Sequence, residues 1–258
     1  VSRPAVLVTG GANRIGAAIV RRFAEAGWHV VIHYGSSEED ADALADTLPS
    51  ADTIQCDLAN SGSAVQMIEE LAEGLVDWRC LVNCASVFEK DDIDDANPTV
   101  FERAMHINAL TPVRIAQAFL AKAKSEQSRR VIQVTDQKLA NPNPDFVSYT
   151  MSKHALDASI AMLSIAHRDS DDRIYGLAPG AILASHDQSE DEAETSHRMN
   201  LLERRTGADE VAEAALFLAT GPLASGETLY VDSGQHLLDQ KRDVIYLARG
   251  EDGAQAGG

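Results

Sequence analysis

The sequence predicts an α/β fold in a single domain: a doubly wound, seven-stranded parallel sheet flanked by helices. Three observations predict it. Short β-rich apolar runs alternate with helical patterns from residue 5 to about residue 231, the mark of repeated βαβ units. A glycine-rich turn follows the first run directly and opens the first helical pattern. No solenoid-period repeat and no linker rich in Gly, Pro or Ser divides the chain.

Strands are expected at AVLVT (5–9), HVVIH (29–33), DTIQC (52–56), CLVN (80–83), RVIQVT (130–135), RIYGLA (173–178) and TLYVD (228–232). Between them RIGAAIVRRFAEAG, SEEDADALADTL, SAVQMIEELAEG, SYTMSKHALDASIAMLSIAHR and ADEVAEAALFLAT carry helical patterns, and PTVFERAMHINALTPVRIAQAFLAKAK reads as one long helix. Gly27 and Gly74 sit where glycines end helices. The acidic runs Asp91 to Asp95 and Glu190 to Glu194 read as solvated loops, the second in reach of a lid role. Residues 1–239 form the domain and 240–258 an extension, with a short apolar VIYLA and a final eight residues expected to be disordered.

The composition narrows the function. Of 258 residues, 45% are hydrophobic and 24% charged, with 17 Gly and 8 Pro, as in an ordinary globular protein. A formal net charge of -18 repels phosphate backbones and anionic membranes, which argues against nucleic acid or a membrane as partner. No apolar run reaches the ~20 residues that span a bilayer, so a cytoplasmic location is expected. Cys56, Cys80 and Cys84 are too few and too scattered for a disulfide framework, and no metal site is expected.

Thr9-Gly10-Gly11-Ala12-Asn13-Arg14-Ile15-Gly16 joins the first strand to the first helix. Glycines there let backbone N–H groups approach a pyrophosphate, and the helix amino end adds favourable dipole. Gly10, Asn13, Arg14, Ile15 and Gly16 are therefore assigned to a dinucleotide. The residues after the second strand, His33, Tyr34 and Ser37, include no carboxylate to grip a ribose 2′-hydroxyl, and Glu38 comes late. Arg14 with imidazole and hydroxyl donors suits a 2′-phosphate, so NADPH is expected over NADH. Asp57, with Leu58 beside it, is placed to accept the adenine amino group. Asn83, Ala85 and Ser86 follow the fourth strand, where small residues let the chain pass close to a flat ring.

Tyr149 and Lys153 are one helical turn apart and share a face. A free tyrosine titrates near ~10, so a neighbouring ammonium is needed for proton exchange near neutrality. Asn108 falls inside a helical pattern, where an asparagine is expected to use its amide. Asp136 stands thirteen residues before Tyr149, where a carbonyl reductase would keep a neutral hydroxyl. A carboxyl can donate there only when protonated. Burial beneath a bicyclic substrate would favour that state, and reduction of an imine consumes a proton at nitrogen.

These residues together, with Pro179-Gly180, resemble the short-chain dehydrogenase/reductase family from residue 5 to about 236, closest to its pteridine and dihydromonapterin reductases. The shared features are Arg14, the His33-Tyr34 pair, Ala85-Ser86-Val87-Phe88 and Asp136 in place of a serine; Cys84 and Phe146 depart from the pattern. The resemblance implies a Rossmann-type fold, a homotetramer, and hydride transfer from NADPH to a pterin. It implies catalytic roles for Asp136, Tyr149, Lys153 and Asn108, the last anchoring a water and Lys153. It also implies that Pro179 and Gly180 contact the cofactor, and that Phe88 stacks the pterin while Arg14, Ser86, Asp136 and Tyr149 contact it. The alternatives are a carbonyl or 3-ketoacyl reductase and a non-catalytic nucleotide-binding module.

Overall fold

The computed structural model describes residues 3–182, 184 and 188–251. Seven parallel strands, β1 (Ala5–Thr9), β2 (His29–Tyr34), β3 (Ala51–Gln55), β4 (Trp78–Asn83), β5 (Arg130–Val134), β6 (Arg173–Pro179) and β7 (Thr228–Val231), lie in the order β3-β2-β1-β4-β5-β6-β7. The sheet is the expected one. Chain order reverses between β1 and β4, so the crossovers leave toward opposite edges and open a crevice at the strands' carboxyl ends.

Side-chain alternation decides which face each residue covers. In β1, Val6 and Val8 pack with Ile19, Val20 and Phe23 of α1 (Arg14–Glu25) and Leu218 of α8 (Ala208–Thr220). Ala5 and Leu7 pack on the other face with Ile68 of α3 (Ser61–Gly74), Ile115 and Phe119 of α5 (Thr111–Lys122) and Ile160 of α6 (Val147–Ala166). Trp78 meets Phe119 edge to face at 4.9 Å, and both are fully buried. Each such side chain contributes roughly 1.5–3 kcal/mol by leaving water.

Several elements differ from expectation. Residues 98–122 are not one helix: α4 (Pro98–Ala104) and α5 are joined by a π-helical turn, Met105–Leu110, carrying Asn108. Gly27 has φ 85 and follows the end of α1 as expected, whereas Gly74 is itself the last residue of α3 and is not left-handed. Glu190 to Glu194 belong to a helix, α7 (Glu190–His197), started by a capping box between Ser189 and Glu192. Asp91 is 8% exposed and not solvated: its carboxylate accepts from the Ser148 amide at 3.2 Å and from the Ser148 hydroxyl, starting α6. Residues 244–248 form α9 (Val244–Ala248). Of the final eight residues, 252–258 lie outside the described residues.

Candidate active site

The β1 turn sits on the crevice floor, where its two end glycines are required sterically. A Cβ on Gly16 would lie 2.1 Å from the Gly10 carbonyl oxygen; one on Gly10, at φ 63, would lie 2.9 Å from the Ala85 Cα. Thr9 Oγ1 accepts from the Cys84 and Ala85 amides at 3.0 and 3.1 Å, fixing the segment after β4 against the turn. Asn13 precedes α1 without capping it, donating instead to Asp40 Oδ2 at 2.9 Å. The amino end of α1 is thus open toward the crevice. Arg14 has φ 54 and reaches the Ala184 carbonyl with both terminal nitrogens at 3.2 Å. The backbone cradle, the open helix terminus and the arginine fit a dinucleotide diphosphate.

His33 is not where a 2′-phosphate donor is expected. It lies within β2, 2% exposed, and both ring nitrogens are engaged: Nδ1 accepts from the Gly10 amide at 3.1 Å and Nε2 lies 3.0 Å from the Cys56 carbonyl. Accepting at Nδ1 places the ring proton on Nε2, and burial lowers the imidazole pKa to about 4. His33 therefore braces the turn from beneath. Tyr34 directs its hydroxyl at Glu38 Oε1, 3.4 Å away, while Ser37 precedes α2 (Glu38–Ala45) with no side-chain cap bond. Asp57 is exposed and turns the chain by accepting from the Ala59 amide at 2.9 Å; Leu58 is buried beneath it. Asn83 is buried and donates to Gln133 Oε1 at 2.8 Å. Pro179 ends β6 and Gly180 packs on Asp232 and Gln235, its position excluding a Cβ by 2.7 Å contacts.

On the other wall Tyr149 donates to Asp136 Oδ2 at 2.7 Å, and the Lys138 amide donates to Oδ1 at 2.9 Å. Burial raises the Asp136 carboxyl pKa, against the Lys138 amide, the Tyr149 hydroxyl and the Lys138 and Lys153 ammoniums, all of which lower it. Burial also raises Tyr149 well above its usual value, and Asp136 adds to this. Both groups thus favour their protonated forms. Lys153 makes no hydrogen bond to the tyrosine oxygen: its Nζ donates to the Val134 carbonyl at 2.8 Å and lies 5.5 Å from the Tyr149 ring centre. Burial lowers its pKa, with Asp136 and Cys84 opposing.

Asn108 differs from expectation too. Its side-chain amide is spent on the Val87 backbone, accepting from the amide at 2.8 Å and donating to the carbonyl at 2.9 Å, and on Ser152 Oγ at 3.0 Å. It holds the Ser86-Val87-Phe88 segment and makes no contact with the Lys153 ammonium. Ser86 is exposed at the crevice rim. Phe88, 42% exposed, stacks on Phe146 at 4.2 Å and meets Tyr149 edge-on at 4.8 Å. Phe146 itself is left-handed, φ 54, at the start of α6.

Sequence reasoning missed Lys138 beside Asp136 and the tail residues Arg242, Asp243 and Tyr246 behind them; Phe146, which it noted as a departure from the pattern, forms a wall against Phe88. Lys138 Nζ meets Asp243 Oδ2 at 2.8 Å, Arg242 Nε meets Asp145 Oδ2 at 2.8 Å, and the Tyr246 ring stacks 6.0 Å from Phe146. Cys56, Cys80 and Cys84 are free thiols; burial raises Cys84 to about 11, leaving it a thiol beside Lys153. No described helix is long and apolar enough to cross a membrane.

The chain is similar along most of its length to several known proteins. The chain is 28% identical to pteridine reductase 1 of Leishmania tarentolae, over 91% of this chain and 96% of that one. It is 25% identical to a dihydromonapterin reductase of Escherichia coli, over 90% and 96%. The FolM alternative dihydrofolate reductase 1 of Brucella suis, solved in complex with NADP, superposes with a TM-score of 0.85 at 30% identity, over 92% and 96%. Residues 10–236 match a family model described as enoyl-(acyl carrier protein) reductase. The chain therefore belongs to the short-chain dehydrogenase/reductase family, and is a reductase related to these pterin-linked proteins.

Proposed function

We propose that this reductase uses NADPH to reduce a C=N bond of a pterin or dihydropterin. The observation that carries the reading is the hydrogen bond from Tyr149 to Asp136, beneath the exposed ring of Phe88. Reduction of C=O and of C=N both end with a proton on the heteroatom, but a ring imine nitrogen is basic enough to take that proton from a carboxylic acid, where a carbonyl oxygen is served by a hydroxyl donor. The acid form of Asp136, favoured by burial, meets that need, and Tyr149 supplies or relays the proton.

When bound, NADPH supplies the hydride. Gly10, Ile15 and Gly16 hold its diphosphate on the α1 terminus, with Asn13 at the rim and Arg14 as the cation. Tyr34 and Ser37 border the ribose phosphate, and Asp57 and Leu58 flank the adenine. Asn83, Ala85, Pro179 and Gly180 face the nicotinamide side, and Lys153 reaches its ribose. The free face of Phe88 covers the pterin, with Arg14 and Ser86 at its edge.

A homotetramer in the cytoplasm completes the reading. Met151, Met162 and Ile165 form an exposed apolar line on α6, suited to self-association.

NADPH oxidation measured with dihydrobiopterin, dihydromonapterin and dihydrofolate tests the proposal, with acetoacetyl thioester as comparator. Turnover of at least one pterin is expected. Turnover of the thioester alone would replace the reading with a ketoacyl reductase.

A further inference from the structure

Lys138 is 3% exposed, two residues beyond Asp136. An ammonium so far from water must be paired and hydrogen-bonded. Its Nζ meets Asp243 Oδ2 at 2.8 Å, Asn143 Oδ1 at 2.8 Å and the Asp145 carbonyl at 3.5 Å. The same residue's amide holds Asp136 Oδ1. One lysine thus connects the reactive carboxyl to the C-terminal segment.

That segment is stitched to the loop between β5 and α6 at several points. Asp243 Oδ1 accepts from the Ile245 amide and starts α9, while the Asp243 amide donates to Asp145 Oδ2 at 2.8 Å. Asp145 also takes Arg242 Nε on both oxygens, at 2.8 and 3.1 Å. Asn141 and Gln240 exchange two hydrogen bonds, at 3.2 and 3.3 Å. Tyr246 lies against Phe146, which lies against Phe88.

We propose that residues 240–248 latch the active site, and that Lys138 and Asp243 are positioning residues whose ion pair sets the charge state of the Asp136–Tyr149 pair. This rests on the reading of Asp136 and Tyr149 as the proton path. The charged or titratable groups facing Asp136 are Lys138 on its own loop and Tyr149 and Lys153 on α6. Those facing Tyr149 are Asp136, Lys153 over its ring, Asp243 from the tail and Cys84 after β4. Asp243 cancels most of the Lys138 charge. Without it the ammonium would favour the ionised carboxylate; without the lysine the buried carboxyl would hold its proton more tightly.

The signs differ, and that makes the proposal testable. Rate that needs the acid form of Asp136 is present at low pH and lost as pH rises through its pKa. Asp243→Asn is expected to move this limb of kcat/KM down by about one pH unit, and Lys138→Met to move it up by about as much. The double variant is expected to return near the parent, and Lys138→Arg to stay there. The acid carboxyl stretch followed by difference infrared titration, assigned with Asp136→Asn, is expected to show the same shifts without any substrate. Single variants that move together, or that do not move the infrared titration, would overturn the proposal. Absence of pterin turnover by the parent protein sinks the substrate assignment alone, since the infrared titration still reads the ion pair. If Asp243→Asn does not fold, Lys138→Met against Lys138→Arg decides: equal midpoints refute the charge role.

Discussion

Tyr149 gives its hydroxyl hydrogen to Asp136, so two groups that both favour the protonated state share one short contact in the crevice. Tyr149→Phe is expected to lower kcat by about 10²–10⁴, the range for a positioned proton donor. Asp136→Ser keeps a donor but loses the acid, and is expected to lower pterin reduction while removing the high-pH limb. Steady-state profiles over the stable pH range check both. Unchanged pterin turnover in Asp136→Ser would remove the carboxyl from the mechanism.

Asn108 and the Val87 backbone form a two-way amide pair. Asn108→Ala leaves the half-buried Val87 amide and carbonyl without their partner, costing about 1–3 kcal/mol of stability. Because Phe88 follows Val87 directly, KM for the substrate is expected to rise more than KM for NADPH. Urea unfolding and the two KM values measure these effects. Asn108→Asp keeps the acceptor only, and is expected to fall between the parent and the alanine variant in stability.

Gly16 has no room for a methyl group, since its Cβ would meet the Gly10 carbonyl oxygen at 2.1 Å. Gly16→Ala is expected to weaken NADPH binding at least about tenfold, because the turn must shift away from the close approach that a diphosphate needs. Gly74, the last residue of α3, has open space around its Cβ position, so Gly74→Ala serves as the control. Fluorescence titration with NADPH compares them, and equal affinities would exclude the turn from cofactor binding.

His33 carries a pH signature. Its folded pKa is about 4, below the unfolded ~6.5, so the unfolded chain takes up a proton that the native protein refuses. The native state is favoured above pH ~6.5, and that advantage is lost as pH falls toward 4, by about 3 kcal/mol in all. Denaturant midpoints at pH 7 and pH 5 are expected to drop less in His33→Gln than in the parent. Identical drops would mean that His33 is protonated in the native protein.

Arg14 and Asp40 both adjoin Asn13, the first as its neighbour in the chain and the second through a hydrogen bond. Arg14→Ala is expected to weaken NADPH and NADH alike, because the diphosphate is common to both, while Asp40→Asn removes a carboxylate held 2.9 Å from Asn13 and is expected to increase the preference for NADPH. The ratio of kcat/KM for the two cofactors is the measurement. A ratio left unchanged by Asp40→Asn would place the 2′-phosphate elsewhere.

The sheet and glycine turn were legible because their signals are local: strand alternation, a turn that only glycine fits, and a strand-to-helix junction. Tyr149 and Lys153 announce themselves by one helical turn of spacing, and Asp136 by occupying a hydroxyl's position. His33 was misplaced because a strand-end histidine looks alike whether it faces water or the turn beneath. The π-helical turn at Asn108 leaves no mark in a pattern read at 3.6 residues per turn. Helix α7 was hidden by its acidic content, although Ser189 and Glu192 spell out a capping box. The Lys138–Asp243 pair joins distant parts of the chain, and no local pattern in either part points to the other.

The approach of Gly10 to Ala85 ties the turn after β1 to the segment after β4 with no space between them. Thr9 locks the same junction with two amide hydrogen bonds. The conformational entropy of arranging this wall is lost when the protein folds, not when a nucleotide arrives. A dinucleotide entering the crevice meets backbone donors already aimed, and most of its contact energy remains available as affinity.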